Sequence, residues 1–142
     1  MIDLNELERA RRTVLDDLLA LRDESGHWVG RLCSSPLSTA TAVSALALVD
    51  RHAADGPRHR ELIDRGVGYL ARLVNDDGGW GDTDRSRSNL ATTMLVRAAF
   101  ELAGAAGSHA ELIGRAEARI DHEGRIDGLR RRYGKDKTFA VP

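Results

Sequence analysis

Asp76 and Asp77 stand side by side ahead of a glycine pair, and neighbouring carboxylates can hold a hard divalent cation when further oxygen ligands are in reach. A third carboxylate is wanted three residues on, but that place holds Trp80. Asp followed by Gly reads instead as a turn. His27 and Cys33 flank Trp28. A zinc site of the usual four-ligand kind needs more Cys and His at recognisable spacing, and Cys33, the one cysteine, has no partner for an internal disulfide either. Trp28 and Trp80 could stabilise a carbocation through their ring faces, worth about 2 kcal/mol per ring when dry. Both lie in glycine-bearing turns, where a large plate staples helix ends. Arg130-Arg131-Arg132, with Lys135 and Lys137, could attract an anion. Asp127 and Asp136 flank the run, so a solvated helix face is the reading. No metal and no cofactor is expected from these groups.

The whole chain has 142 residues, 21 basic and 22 acidic side chains and a net charge of −1. That balance produces no field that would draw it to nucleic acid. The first residues, Met-Ile-Asp-Leu-Asn-Glu-Leu-Glu-Arg, lack the basic start and apolar run of a signal peptide. The most apolar stretch, Leu37 to Val49, is interrupted by Ser38, Thr39, Thr41 and Ser44 and is shorter than the ~20 residues of a membrane span. A cytoplasmic protein without a transmembrane segment is expected, with room for peripheral contact to the inner membrane face in a longer parent.

The elements that must position these residues emerge from an internal repeat. A shift of 52 lays Leu18, Leu21, Gly26 and Trp28 on Leu70, Leu73, Gly78 and Trp80, and a shift of 53 lays Leu37, Thr39, Val43 and Ala45 on Leu90, Thr92, Val96 and Ala98. Each unit opens with a charged amphipathic helix, Leu4 to Arg22 and His59 to Val74, carrying one apolar stripe at three-four spacing. Each continues with a drier helix, Ser38 to His52 and Asn89 to Ala103. Ser34 to Val49 has no ionisable side chain, and Ser88 to Ala103 has only Arg97 and Glu101. The dry helices are therefore expected to be buried on most sides, with Ser38, and Ser88 or Asn89, as N-caps and with Gly104 and Gly107 ending the second. A degenerate third unit follows: helices over Ala110 to Ile120 and Glu123 to Tyr133, a turn at Gly134-Lys135-Asp136, and an apolar segment from Thr138 to Pro142. Alternating half-wet and dry helices predict an all-α fold of two helical layers, an α/α barrel or a strongly curved solenoid.

The stretch Arg65 to Thr83, RGVGYLARLVNDDGGWGDT, resembles the QW repeat of the squalene-hopene cyclase and oxidosqualene cyclase family, also known as the prenyltransferase and squalene oxidase repeat. Arg65, Gly66, Tyr69, Leu70, Gly78, Gly79 and Trp80 occupy the family's places, and Gly26 and Trp28 mark a first copy. GHWVGRLCSSPLSTATAVSAL, SNLATTMLVRAAF and YGKDKTFAVP look like the same branch. The glutamine that names the motif is absent. Arg22 and Val74 stand in its place, which implies a weakened brace in both copies.

The resemblance implies antiparallel helical-pair repeats of an incomplete (α/α)6-barrel-like toroid, a single partial domain over 1–142 with units about 4–52, 58–104 and 108–142. It also implies a parent that cyclises squalene or a related isoprenoid by protonating an alkene. The family's acid motif, Asp-x-Asp-Asp, has no match here: Asp82-Thr83-Asp84-Arg85 ends in Arg and sits in a turn. No residue is expected to be catalytic. If inner helices line a central space, Thr39, Thr92, Met94, Arg97 and Phe100 are the residues to face it. The rival expectation is a non-catalytic helical repeat module for a protein or lipid partner. A zinc-dependent prenyltransferase subunit is disfavoured by the missing ligands. Uncovered inner helices would drive self-association of the isolated chain.

Overall fold

The computed structural model describes residues 3–30 and 32–134. Among these the chain is all-α, with six helices: α1 (Leu4–Ala20), α2 (Pro36–His52), α3 (Arg60–Arg72), α4 (Leu90–Leu102), α5 (Ala110–His122) and α6 (Arg125–Tyr133). Lys135, Lys137 and the apolar segment from Thr138 lie outside the described residues. The chain divides into two compact units, residues 1–32 and 33–142. The division falls inside the first expected repeat unit, just beyond its Trp28 turn.

The first unit is one helix and one turn. Asp3 caps α1 by accepting the Asn5 N–H at 2.8 Å. A lone helix has nothing of its own to pack on, and all of α1 is exposed, including Leu7, Val14 and Leu18 of its stripe.

In the second unit the core forms where α2, α3, α4 and α5 meet. It contains Ala40, Val43, Ile63, Val67, Leu70, Trp80, Val96, Phe100, Ile113 and Ala116. The amphipathic helices α3 and α5 bury only Ile63, Val67, Leu70 and Ile113, Ala116, Ile120, respectively. Helix α4 is buried or half-buried at every position except Glu101, as its dryness predicts. Helix α2 is not. It buries Pro36, Ala40, Val43 and Ala47 and leaves Leu37, Thr41, Ala45, Leu48 and Val49 exposed. Its uncharged run to Val49 is suited to burial on all sides, and within the second unit α3 and α4 are the helices that pack on it.

Boundaries differ from expectation where capping decides them. Helix α2 starts at Pro36, and its cap is Ser35, whose hydroxyl accepts the Ser38 N–H at 3.1 Å. Proline suits the first helical position because its missing N–H would have had no intrahelical partner. Asn89, not Ser88, caps α4 by accepting the Thr92 N–H at 2.9 Å. Gly104 (φ +69°) ends that helix, with Ala105 N–H on the Phe100 carbonyl at 2.9 Å. Gly107 instead opens a single 3-10 turn, Gly107–His109.

Asp50 locks the α2–α3 connection. Its carboxylate, 8% exposed, accepts the Arg58 and His59 N–H groups at 3.0 and 2.9 Å and lies 2.6 Å from His59 Nδ1. Burial pushes its pKa up, but the two amides and the imidazole together outweigh that and hold it below the ordinary 3.8. A depressed folded-state pKa means that the unfolded chain binds the proton more readily, so the stabilisation is present above the ordinary value and lost as pH falls through the folded one. Urea midpoints should therefore drop between about pH 5 and about pH 3, and part of that slope should vanish in Asp50→Asn. An unchanged slope would remove Asp50 from the account.

Candidate functional site

The two Gly-x-Trp turns share one backbone design. In the second copy Asn75 N–H donates to the Gly79 carbonyl at 2.9 Å and Gly78 N–H returns to the Asn75 carbonyl at 2.9 Å. In the first, Asp23 N–H donates to His27 at 2.9 Å and Gly26 N–H to Asp23 at 3.0 Å. Gly78 and Gly26 have φ of +79° and +82°, a region that costs a residue with a Cβ. Each indole then reaches back ten residues to a carbonyl near the end of the preceding helix: Trp80 Nε1 to Leu70 O at 2.8 Å, Trp28 Nε1 to Leu18 O at 2.6 Å. The last carbonyls of a helix lack an i+4 donor. Each of these takes a tightened backbone bond, from Leu73 and Leu21 at 3.2 Å, and the indole as a second donor.

The second turn also holds the next helix. Trp80 N–H donates to Thr93 Oγ1 at 3.1 Å, and its carbonyl accepts the Asn89 N–H at 2.9 Å. Its ring stands 6.4 Å from Phe100, centroid to centroid. One residue thus ties the end of α3 to the start of α4. Arg115 of α5 donates to the Asp76 carbonyl at 2.7 Å, and Arg119 bonds Asp77 Oδ2 at 2.7 Å. Asp77 also accepts the Ser88 hydroxyl at 2.7 Å. Burial raises its pKa, but Ser88, the Gly79 amide and Arg119 carry it below the ordinary value. Val74, in the glutamine's place, is half-buried against the core, and α5 does the bracing. In the first copy Arg22 braces its own turn: Nε donates to the Gly26 carbonyl at 2.7 Å, and the guanidinium carbon lies 5.3 Å from the Trp28 ring centroid.

Of the other motif positions, Gly66, Tyr69 and Gly79 serve packing and Arg65 does not. Arg65 is exposed and 3.9 Å from Glu61. Gly66 lies under α2, where a Cβ would come within 2.4 Å of Val43 Cγ2. Tyr69 packs beside the core. Gly79 is buried, and a Cβ there would be 2.6 Å from Arg119 Cδ.

All of the candidate cavity residues but Thr39 lie on α4. Thr92 and Phe100 are fully enclosed, so they face packed neighbours rather than an open space. Thr39 is half-buried, its methyl facing Gly66. Met94 rests on the small cluster of Leu90, Ile120 and Leu129. Arg97 is bound to Glu117 at 2.6 Å. In the acidic turn Asp82 accepts Asn89 Nδ2 at 2.8 Å and the Thr92 hydroxyl. Among the described residues no group of three His, Cys, Asp or Glu is placed to hold a metal. Asp23, Ser25 and His27 line up at the first turn, but the serine hydroxyl lies against the carboxylate at 2.5 Å as well as 3.0 Å from His27 Nδ1. That is turn chemistry, since the serine proton already has an acceptor in Asp23.

The family model for the squalene-hopene cyclase N-terminal domain matches residues 10–131. The chain belongs to this family. No curated protein and no solved structure matches it. Within the cyclase family's frame, the arginines of α5 are the site residues that sequence reasoning missed. They act 39 to 42 residues from their partners, and no local spacing announces them.

Proposed function

We infer that this chain is the N-terminal scaffold of a class II terpene cyclase or mutase, an intramolecular isomerase. The parent protonates a terminal alkene of squalene or a related polyprenyl chain, steers the carbocation cascade and ends it by proton loss or water capture. Family membership over residues 10–131 is the observation that carries this reading. The role assigned to these residues is structural: turns that staple successive helices.

The acid is assigned to sequence other than these 142 residues. A carboxyl that protonates an alkene must hold its proton, which calls for a site that raises the pKa. Asp23, Asp50 and Asp77 are all displaced the other way by the hydrogen bonds they accept. An exposed isoprenoid would also need covering. Among the described residues no helix is long and apolar enough to cross a membrane, so any lipid contact is assigned to the protein's surface.

The protein encoded by the full reading frame around these residues, incubated with squalene, should yield cyclised products of unchanged mass or of that mass plus one water. Changing the central Asp of its Asp-x-Asp-Asp run to Asn should abolish them. A frame with no such motif, or intact protein without product, would replace the enzyme reading with the helical binding module.

A further inference from the structure

We propose that α6 is a strap that opens as one piece, uncovering the apolar side of Leu90 and Ile120 while the main core stays closed. Its contacts are separate from that core. Leu90, Ile120 and Leu129 form a cluster of their own, bordered by Ala91, Met94 and Tyr133. Of the nine residues in α6, only Gly128 and Leu129 are buried, so its apolar hold is one buried leucine with the half-buried Tyr133 beside it.

The start of α6 works against the closed state. No side chain caps it, and Gly124 at φ +87° is followed by Arg125 at φ +51°, the one non-glycine residue with positive φ among those described. That conformation brings Cβ against the following carbonyl and is disfavoured for any residue but glycine. What holds it is polar and mostly wet. Arg125, 60% exposed, pairs with Asp121 and, at 3.6 Å, with Glu117, and Arg131 donates to the Glu123 carbonyl at 3.1 Å. Exposed ion pairs contribute little. The seat itself is tight, because a Cβ on Gly128 would lie 2.1 Å from the Glu123 carbonyl oxygen. A glycine at the contact, one buried leucine and a left-handed residue at the joint describe a segment whose local opening is far easier than global unfolding. This inference rests on the packing of α6 and not on the cyclase reading.

Native-state hydrogen exchange on the 142-residue chain tests it. Amides from Gly128 to Gly134 should exchange at one common rate, at least ~10-fold faster than those of Val96 to Phe100, with little dependence on sub-denaturing urea because little surface is exposed. Leu129→Ala should speed that rate by at least ~10-fold and leave α4 protection unchanged. Arg125→Gly should open several-fold less often than Arg125→Ala, since both lose the ion pairs and only one keeps the Cβ. Should Leu129→Ala fail to fold, the wild-type rates and the Arg125 pair still decide. A shared rate and urea dependence for α6 and α4 would overturn the proposal. So would rates that climb residue by residue towards Tyr133, which is fraying.

Discussion

Replacing Trp80 with Ala should lower the unfolding free energy by about 3 to 5 kcal/mol, whereas Trp28→Ala should cost at most about 1 kcal/mol. The two residues occupy the same place in the repeat and make the same bond to a carbonyl ten residues back. They differ in surroundings. Trp80 is 0% exposed and Trp28 is 48% exposed. Deleting the enclosed ring leaves a cavity beside Phe100 and Leu70 and removes the indole bond to the Leu70 carbonyl, leaving that carbonyl only the Leu73 N–H at 3.2 Å. Deleting the exposed one loses a bond that water can replace and half a ring of contact with Arg22.

Urea unfolding of the two variants checks the contrast, with Trp80→Phe as the control that keeps most of the volume and loses the N–H. Phe should recover more than half of the loss, because the net worth of the bond is only about 1 kcal/mol. Fluorescence separates the rings: the Trp28→Phe protein emits from Trp80 alone, and its spectrum should be that of a dry indole. Equal costs for the two Ala variants would mean that the turn motif, not its burial, sets the energy, and would sink the account.

Much of this frame could be read before the structure. The spacing of Ile63, Val67 and Leu70 is that of one buried stripe, and those residues are the ones α3 buries. Asn89 stood just ahead of the dry run and caps it. Ser38 has the residue type of a cap, but α2 starts earlier, because Ser35 before Pro36 is the better pair once proline's place at the first helical position is weighed. The exposure of Leu48 and Val49 could not be foreseen. Absence of charge reports what a helix can tolerate and is silent about whether a neighbour arrives. A place on an inner helix points Thr92 and Phe100 towards a central space, and among the described residues both are fully enclosed by packing. Arg115 and Arg119 escaped because a polar brace across some forty residues leaves no periodic trace.

Gly66→Ala is the second large effect, and its sign runs against helix propensity. Inside α3 an alanine should gain about 1 kcal/mol over glycine. At this position the added Cβ meets Val43 Cγ2 at 2.4 Å, well inside contact distance. Val43 is 2% exposed and branched at Cβ, so its χ1 is held by its own helix and the methyl cannot swing aside. Helices α2 and α3 must then separate or strain, at about 1 to 3 kcal/mol, and the variant should be less stable than wild type by about 1 kcal/mol or more. A methyl in a buried helical stripe is not itself a problem: α5 has Ala116, wholly enclosed, at the middle of its own. The obstacle is therefore the partner across the interface and not the helix. Val43→Ala alone should destabilise by leaving a void, and Gly66→Ala in that background should recover stability, because the new methyl occupies the space that Cγ2 vacated. A double-mutant cycle in urea should give a favourable coupling of at least about 1 kcal/mol. Additive costs would show that Gly66 is needed for its backbone and not for the close approach of α2, and the packing argument for Gly66 would fall with it.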